Sequence, residues 1–112
     1  MEGEMLKGHL DMIVLAALAA GPAHGYAVIE QIRRRSGQAF DLPEGTIYPA
    51  LHRLIKRRWI SAEEGTSENN RRAKFYALTS KGRRQLTVET GKWDKLARAI
   101  AQILQPGEQE EA

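Results

Sequence analysis

The order in which helical and extended segments follow one another is the tightest constraint on what this chain can fold into. Leu6–Ala20 is apolar with helix formers throughout, with Leu10, Ile13, Val14 and Leu18 at three- and four-residue steps, and Gly21-Pro22 stops it. A second helix is expected from His24 to Arg35, with Tyr26, Ile29 and Ile32 on one face. Arg33, Arg34 and Arg35 lie in its last turn, where cations favour the negative end of the helix dipole, and Ser36-Gly37 ends it. A third helix follows Asp41 and runs to about Arg58. Pro43 and Pro49 both suit a first turn and cannot both occupy one, so a start at Pro43 implies a kink at Pro49.

The texture then changes. Trp59–Glu63 reads as a strand, Gly65–Asn70 as polar turn material, and Ala73–Leu78 as a second strand rich in β-favouring aromatics. The result is a hairpin whose tip carries Arg71, Arg72 and Lys74. Thr79 is a good N-cap for a last helix over Ser80–Leu104, weakened in its middle by Thr87, Thr90 and Gly91 and closed by Pro106-Gly107. Three helices, a two-stranded wing and a long helix make the fold class mainly α with a small β-hairpin, the winged helix-turn-helix arrangement.

Composition narrows the function. The 112 residues are one domain's worth and contain no cysteine, which removes disulfide frameworks, thiolate zinc sites and cysteine nucleophiles. His9, His24 and His52 fall on different elements, and neither a Gly-rich phosphate loop nor a metal-ligand cluster is present, so no catalytic residue, metal or cofactor is expected and the chain does not read as an enzyme. Met1–Met5 carries acids where a secretory signal needs bases, and the apolar run Met12–Ala20 is too short to span a bilayer, so a cytoplasmic protein with no membrane association is expected. Net charge is only +3, but residues 33–84 hold thirteen of the seventeen Lys/Arg against five of the fourteen acids, a balance of +8, while the remainder is −5. Such clustering suits either a nucleic-acid face or a solvated basic surface.

On the third helix, Ile47, Leu51, Leu54 and Arg58 fall in one stripe flanked by Ala50 and Ile55, which should pack inward. The opposite face carries Gly45, Thr46, Pro49, His52, Arg53 and Lys56: small residues near the start, donors and cations beyond. A recognition helix needs that order, because its first turns approach base edges while later residues reach phosphate. His52 and Arg53 suit base acceptors and Lys56 suits phosphate, although a conventional polar helix face would look similar. The basic hairpin tip suits a DNA backbone or narrow minor groove, or the protection of an edge strand. Tyr26 suits either a phosphate contact or the core, and Tyr48 lies at the margin of the apolar stripe.

His24-Gly25-Tyr26, then Glu44-Gly45-Thr46-Ile47-Tyr48-Pro49-Ala50-Leu51-His52-Arg53-Leu54, then Arg71-Arg72-Ala73-Lys74-Phe75-Tyr76-Ala77-Leu78-Thr79 with Gly82, resemble the successive signature segments of PadR regulators. The resemblance runs from about Leu6 to Leu104, and its motifs occur in order and at the right spacing. It implies a winged DNA-binding domain over residues 1–79, a C-terminal dimerisation helix over 80–105 and a flexible acidic tail over 106–112. It further implies a homodimer that represses transcription at inverted-repeat operators in double-stranded DNA. The single C-terminal helix is similar to the compact subgroup of the family. The family pattern assigns DNA contact to Tyr26, Thr46, Tyr48, His52, Arg53, Arg71, Arg72 and Lys74.

The last helix is compatible with dimerisation on its own residues, since Leu86, Trp93, Ala97, Ile100 and Leu104 step like a coiled-coil seam that Thr90 and Gly91 interrupt. By resemblance to compact members, Trp93 sits where paired indoles can sandwich a flat aromatic effector; the alternative is an interface tryptophan that binds nothing. From another function class, a winged-helix protein-interaction adaptor without DNA binding is the rival reading, against which the +8 central segment argues.

Overall fold

The computed structural model describes Leu6 and residues 8–107. In chain order the elements are α1 (Leu10–Leu18), β1 (Ala23–His24), α2 (Gly25–Arg35), α3 (Glu44–Lys56), β2 (Ile60–Thr66), β3 (Arg72–Leu78) and α4 (Ser80–Leu104). Residues 108–112 of the tail expected over 106–112 lie outside the described residues, as does Lys7 within the expected first helix. Among the described residues no helix is long and apolar enough to cross a membrane.

Leu15 and Leu18 of α1, Val28 of α2, and Ile47, Leu51 and Leu54 of α3 are fully enclosed, and the sheet seals one side with Ile60 and Tyr76. Each Leu or Ile buried this way is worth roughly 1.5–3 kcal/mol of transfer free energy, which makes the three-helix contact the main source of stability. α1 stops at Leu18 rather than Ala20, because Ala19 and Gly21 donate to the carbonyls three residues back and tighten the last turn. The Arg35 guanidinium then donates to the Ala16 carbonyl at 3.2 Å, tying the end of α2 to the end of α1.

The hairpin gains a third strand that periodicity does not announce. Ala23 and His24 pair antiparallel with Tyr76 and Phe75, giving the order β1-β3-β2. His24 does two jobs: it ends β1, and its Nδ1 accepts the Ala27 N–H at 3.2 Å as N-cap of α2. β2 and β3 are also longer than expected, paired from Ile60↔Leu78 out to Thr66↔Arg72 around a turn at 67–71. That turn closes through Ser67 N–H to the Arg71 carbonyl at 2.8 Å, with Asn70 at φ 59°.

α3 starts on Pro43 as N-cap and runs on through Pro49, the proline on the exposed side of the second turn. Its end corrects the expected inward stripe. Arg58 is exposed and left-handed at φ 64°, because Trp59 N–H reaches the Leu54 carbonyl and Arg58 N–H the Ile55 carbonyl in a Schellman turn. The helical angle therefore stops applying at Lys56, and the buried stripe is Ile47, Ala50, Leu51 and Leu54.

Thr79 holds the sheet to α4. Its hydroxyl accepts the Gly82 N–H at 3.0 Å and donates to the Arg58 carbonyl at 2.7 Å, while its own N–H reaches the Trp59 carbonyl at 3.0 Å. At about 1.5 Å per residue, α4 is about 37 Å long. Its first turns lie on the core through Gly82 and Leu86, its middle passes the start of α1 where Trp93 meets His9, and the last turns project. The molecule is accordingly elongated, 66 × 28 × 21 Å.

Candidate nucleic-acid interface

α2, the connection from Ser36 to Pro43, and α3 form a helix-turn-helix whose second member shows one face to the core and one outward. On the outward face Gly45, Pro49, His52, Arg53 and Lys56 are exposed and Thr46 is half-buried. Tyr48 is half-buried because its ring lies over the backbone of Gly25: a Cβ at Gly25 would stand 2.3 Å from the Tyr48 oxygen. The glycine that opens α2 is thus the seat of a tyrosine from α3, which fixes the approach of the two helices.

The helical pattern groups Tyr26 with Ile29 and Ile32, and leaves core and phosphate both open to it. The structure puts it 61% exposed, beside Tyr48 rather than in the core, and its hydroxyl donates to Glu44 at 3.1 Å. Glu44 opens α3, where a carboxylate meets the positive end of the helix dipole. The hydrogen bond to that carboxylate, and then its charge, raises the Tyr26 phenol above the usual tyrosine range. Burial, and then the same charge, raises that of Tyr48. Both phenols stay protonated donors at neutral pH. Sequence reasoning misses Glu44 as a site residue, although an acid in the first turn of a helix is a recognisable signal.

Arg53 is engaged. One of its nitrogens lies 2.9 Å from one Asp11 carboxylate oxygen, and a nitrogen of Arg57 lies 3.2 Å from the other. Arg57 also covers the Trp59 ring, 5.0 Å from the centroid. His52 and Lys56 remain the outward donors of α3 without an intramolecular partner among the described residues.

The wing presents Arg71, Arg72 and Lys74, all exposed. Strand alternation puts Arg72 and Lys74 on the same face of β3, and the register sets Glu64 directly across from Lys74. Arg72 approaches Glu64 at 3.4 Å with both side chains mostly in water, a pair worth almost nothing. Arg72 is therefore not held by that carboxylate.

Farther along α4, Val88, Trp93, Leu96, Ile100, Ile103 and Leu104 are large apolar residues in water. Leu86, expected in the seam, packs on the chain's own core, and Leu96 and Ile103 join the exposed stripe. Trp93 stands edge-on to His9 at 5.2 Å, on the rim of a cleft of about 170 Å³ that also takes in Met12, Glu89 and Leu96.

Residues 14–88 match the transcriptional regulator PadR-like family. The fold is similar to that of a transcriptional regulator from Clostridium thermocellum, with a TM-score of 0.82 and 25% identity over 92% of this chain and 100% of the other. A Streptococcus transcriptional regulator superposes at 0.81 with 30% identity over 93% and 100%. A PadR-like transcriptional regulator from Bacillus cereus does so at 0.81 with 27% identity over 94% and 100%.

Proposed function

The chain belongs to the PadR-like family of transcriptional regulators, which are DNA-binding proteins and not enzymes, and from that premise we propose that it is a homodimeric repressor of an inverted-repeat operator. The observation that carries this reading is the placement of exposed donors on two separate elements, His52 and Lys56 on α3 and Arg71, Arg72 and Lys74 on the wing, of which only Arg72 has an ion pair among the described residues, a weak one with Glu64. An adaptor has no use for cations at both places. In the proposed complex α3 enters the major groove, His52 meets base edges and Lys56 meets phosphate. Thr46, Tyr26 and Tyr48 line the entry of that helix, and the wing cations follow the backbone beside it.

The test is binding to DNA from immediately upstream of the chain's own gene, at two salt concentrations, with unrelated DNA as competitor. Tight, salt-sensitive binding that the competitor does not erase is expected. Arg71→Ala with Arg72→Ala should weaken binding to every sequence and make the log–log salt slope shallower by about 0.9 for each phosphate that is no longer neutralised. His52→Ala should instead relax discrimination at particular bases by about 1–3 kcal/mol. Weak, salt-insensitive association would return the adaptor reading.

The Trp93 cleft supports a second element of the proposal, relief of repression by a flat aromatic molecule. At about 170 Å³ the cleft of one protomer falls below the roughly 300 Å³ at which small-molecule sites begin, so two copies must face each other to enclose a ligand. Planar aromatic compounds are expected to quench tryptophan fluorescence in the native chain and not in Trp93→Ala, which leaves the signal of Trp59. Equal quenching in both would remove Trp93 from any ligand site.

A further inference from the structure

We infer that Asp11 determines the sequence selectivity of DNA binding by keeping Arg53 and Arg57 away from phosphate. The inference rests on the DNA-binding reading above and adds to it a residue on α1, outside the helix-turn-helix and the wing.

Arg53 lies in the last turn of α3 and Arg57, four residues on, is its C-cap, with a backbone still right-handed at φ -80° and its N–H on the Arg53 carbonyl, so the two guanidiniums lie on the same side of the helix. Two like charges so placed repel, and both are about half exposed, with side-chain exposures of 47% and 52%. A single carboxylate bridges them: one Asp11 oxygen takes Arg53 at 2.9 Å and the other takes Arg57 at 3.2 Å. Asp11 itself is only 25% exposed, so the pairs are less screened than a surface ion pair. It is also well placed to persist, since it lies in the first turn of α1, where the helix dipole favours an anion.

Arginine readily takes phosphate bidentately from any sequence. Two free guanidiniums beside the recognition helix would add affinity common to all DNA and dilute what His52 reads. Asp11 withholds them. Arg57 has a second anchor in the Trp59 ring, whereas Arg53 has no other ion pair among the described residues, so Arg53 is the group that neutralising Asp11 releases first.

The test is Asp11→Asn in the full chain, measured on its upstream DNA and on unrelated DNA between 50 and 200 mM salt. The salt slope should steepen by about 0.9 for Arg53 alone and by about 1.8 if Arg57 follows. Across that fourfold change in salt, the loss of affinity should grow by roughly 3.5-fold for Arg53 alone and roughly 12-fold for both. Preference for the upstream DNA should fall, because the added contacts carry no sequence information. The steepening should vanish when Asp11→Asn is placed on Arg53→Gln with Arg57→Gln; persistence there would mean a general charge effect and would overturn the inference, as would an unchanged slope in the single variant. If Asp11→Asn does not fold, Arg57→Gln gives the answer: an unaltered slope supports the restraint, and a slope shallower by about 0.9 shows that Arg57 already binds phosphate and overturns it. Native protein that binds no DNA in a salt-dependent way would defeat the functional reading itself, an outcome separate from all of these.

Discussion

Gly82→Ala should abolish cooperative unfolding or cost more than about 3 kcal/mol, out of a total of roughly 5–15 kcal/mol for a domain of this kind. Gly82 is buried in the first turn of α4, and an added Cβ would lie 1.8 Å from the Trp59 carbonyl oxygen and 2.8 Å from its carbon. No rotamer change relieves this, because both atoms are backbone. Displacing α4 would pull Thr79 from Arg58 and Trp59, the contacts that join the long helix to the end of α3 and the start of β2. Gly91→Ala is the control in the same helix: a Cβ there meets nothing within 4 Å, so the substitution should stabilise by about 0.5–1 kcal/mol through helix propensity. Chemical denaturation followed by circular dichroism reads both. A Gly82→Ala chain that unfolds within about 1 kcal/mol of the native one would refute this account of how α4 is attached.

On the homodimer and inverted-repeat operator proposed above, Leu96→Glu with Ile100→Glu should give a folded monomer and cut affinity for the operator by about a hundredfold or more. The apolar stripe beyond the core repeats at seven residues, Trp93 with Ile100, Leu96 with Ile103 and Ala97 with Leu104, which is the pattern a paired helix needs. Leu96 and Ile100 are 43% and 45% exposed in the protomer, so glutamates there face water and leave the core intact. Pressed against a partner helix, the same carboxylates would be buried without counter-charges, at several kcal/mol each. Losing the second DNA-binding domain removes an effective-concentration advantage of about 10²–10⁴. Light scattering after size exclusion, together with the DNA titration, checks both halves. A double variant that stays dimeric would move the interface off this stripe.

Much of the architecture is legible because it depends on neighbours in sequence. Thr79 caps α4 and Ser36-Gly37 closes α2 by rules local to a turn, and Ile47, Leu51 and Leu54 announce a buried face by spacing alone. The ambiguity at Pro43 and Pro49 is of the same local kind. It resolves with Pro43 as the cap and Pro49 on the outer side of the second turn. Less legible is whatever depends on where a distant segment lies. Ala23–His24 is too short to show a period, and it is a strand only because Tyr76 and Phe75 run beside it.

The candidate site divides along the same line. The sequence alone determined the order of the helices and the hairpin, the outward face of α3, and the residues of the wing that carry charge. Tertiary structure alone decided which of those charges are paired within the chain, because an ion pair needs two side chains within a few ångströms and spacing says nothing about a residue some forty positions away. Arg53 faces outward as its helical position requires, yet Asp11 pairs with it; Tyr26 lies outside the core, and there its hydroxyl donates to Glu44. Leu86 and Leu96 carry the same side chain on the same helix, and only the extent of the core beneath them makes one structural and leaves the other free. Periodicity assigns a residue to a face, but burial and pairing are settled by what the rest of the chain lays against it.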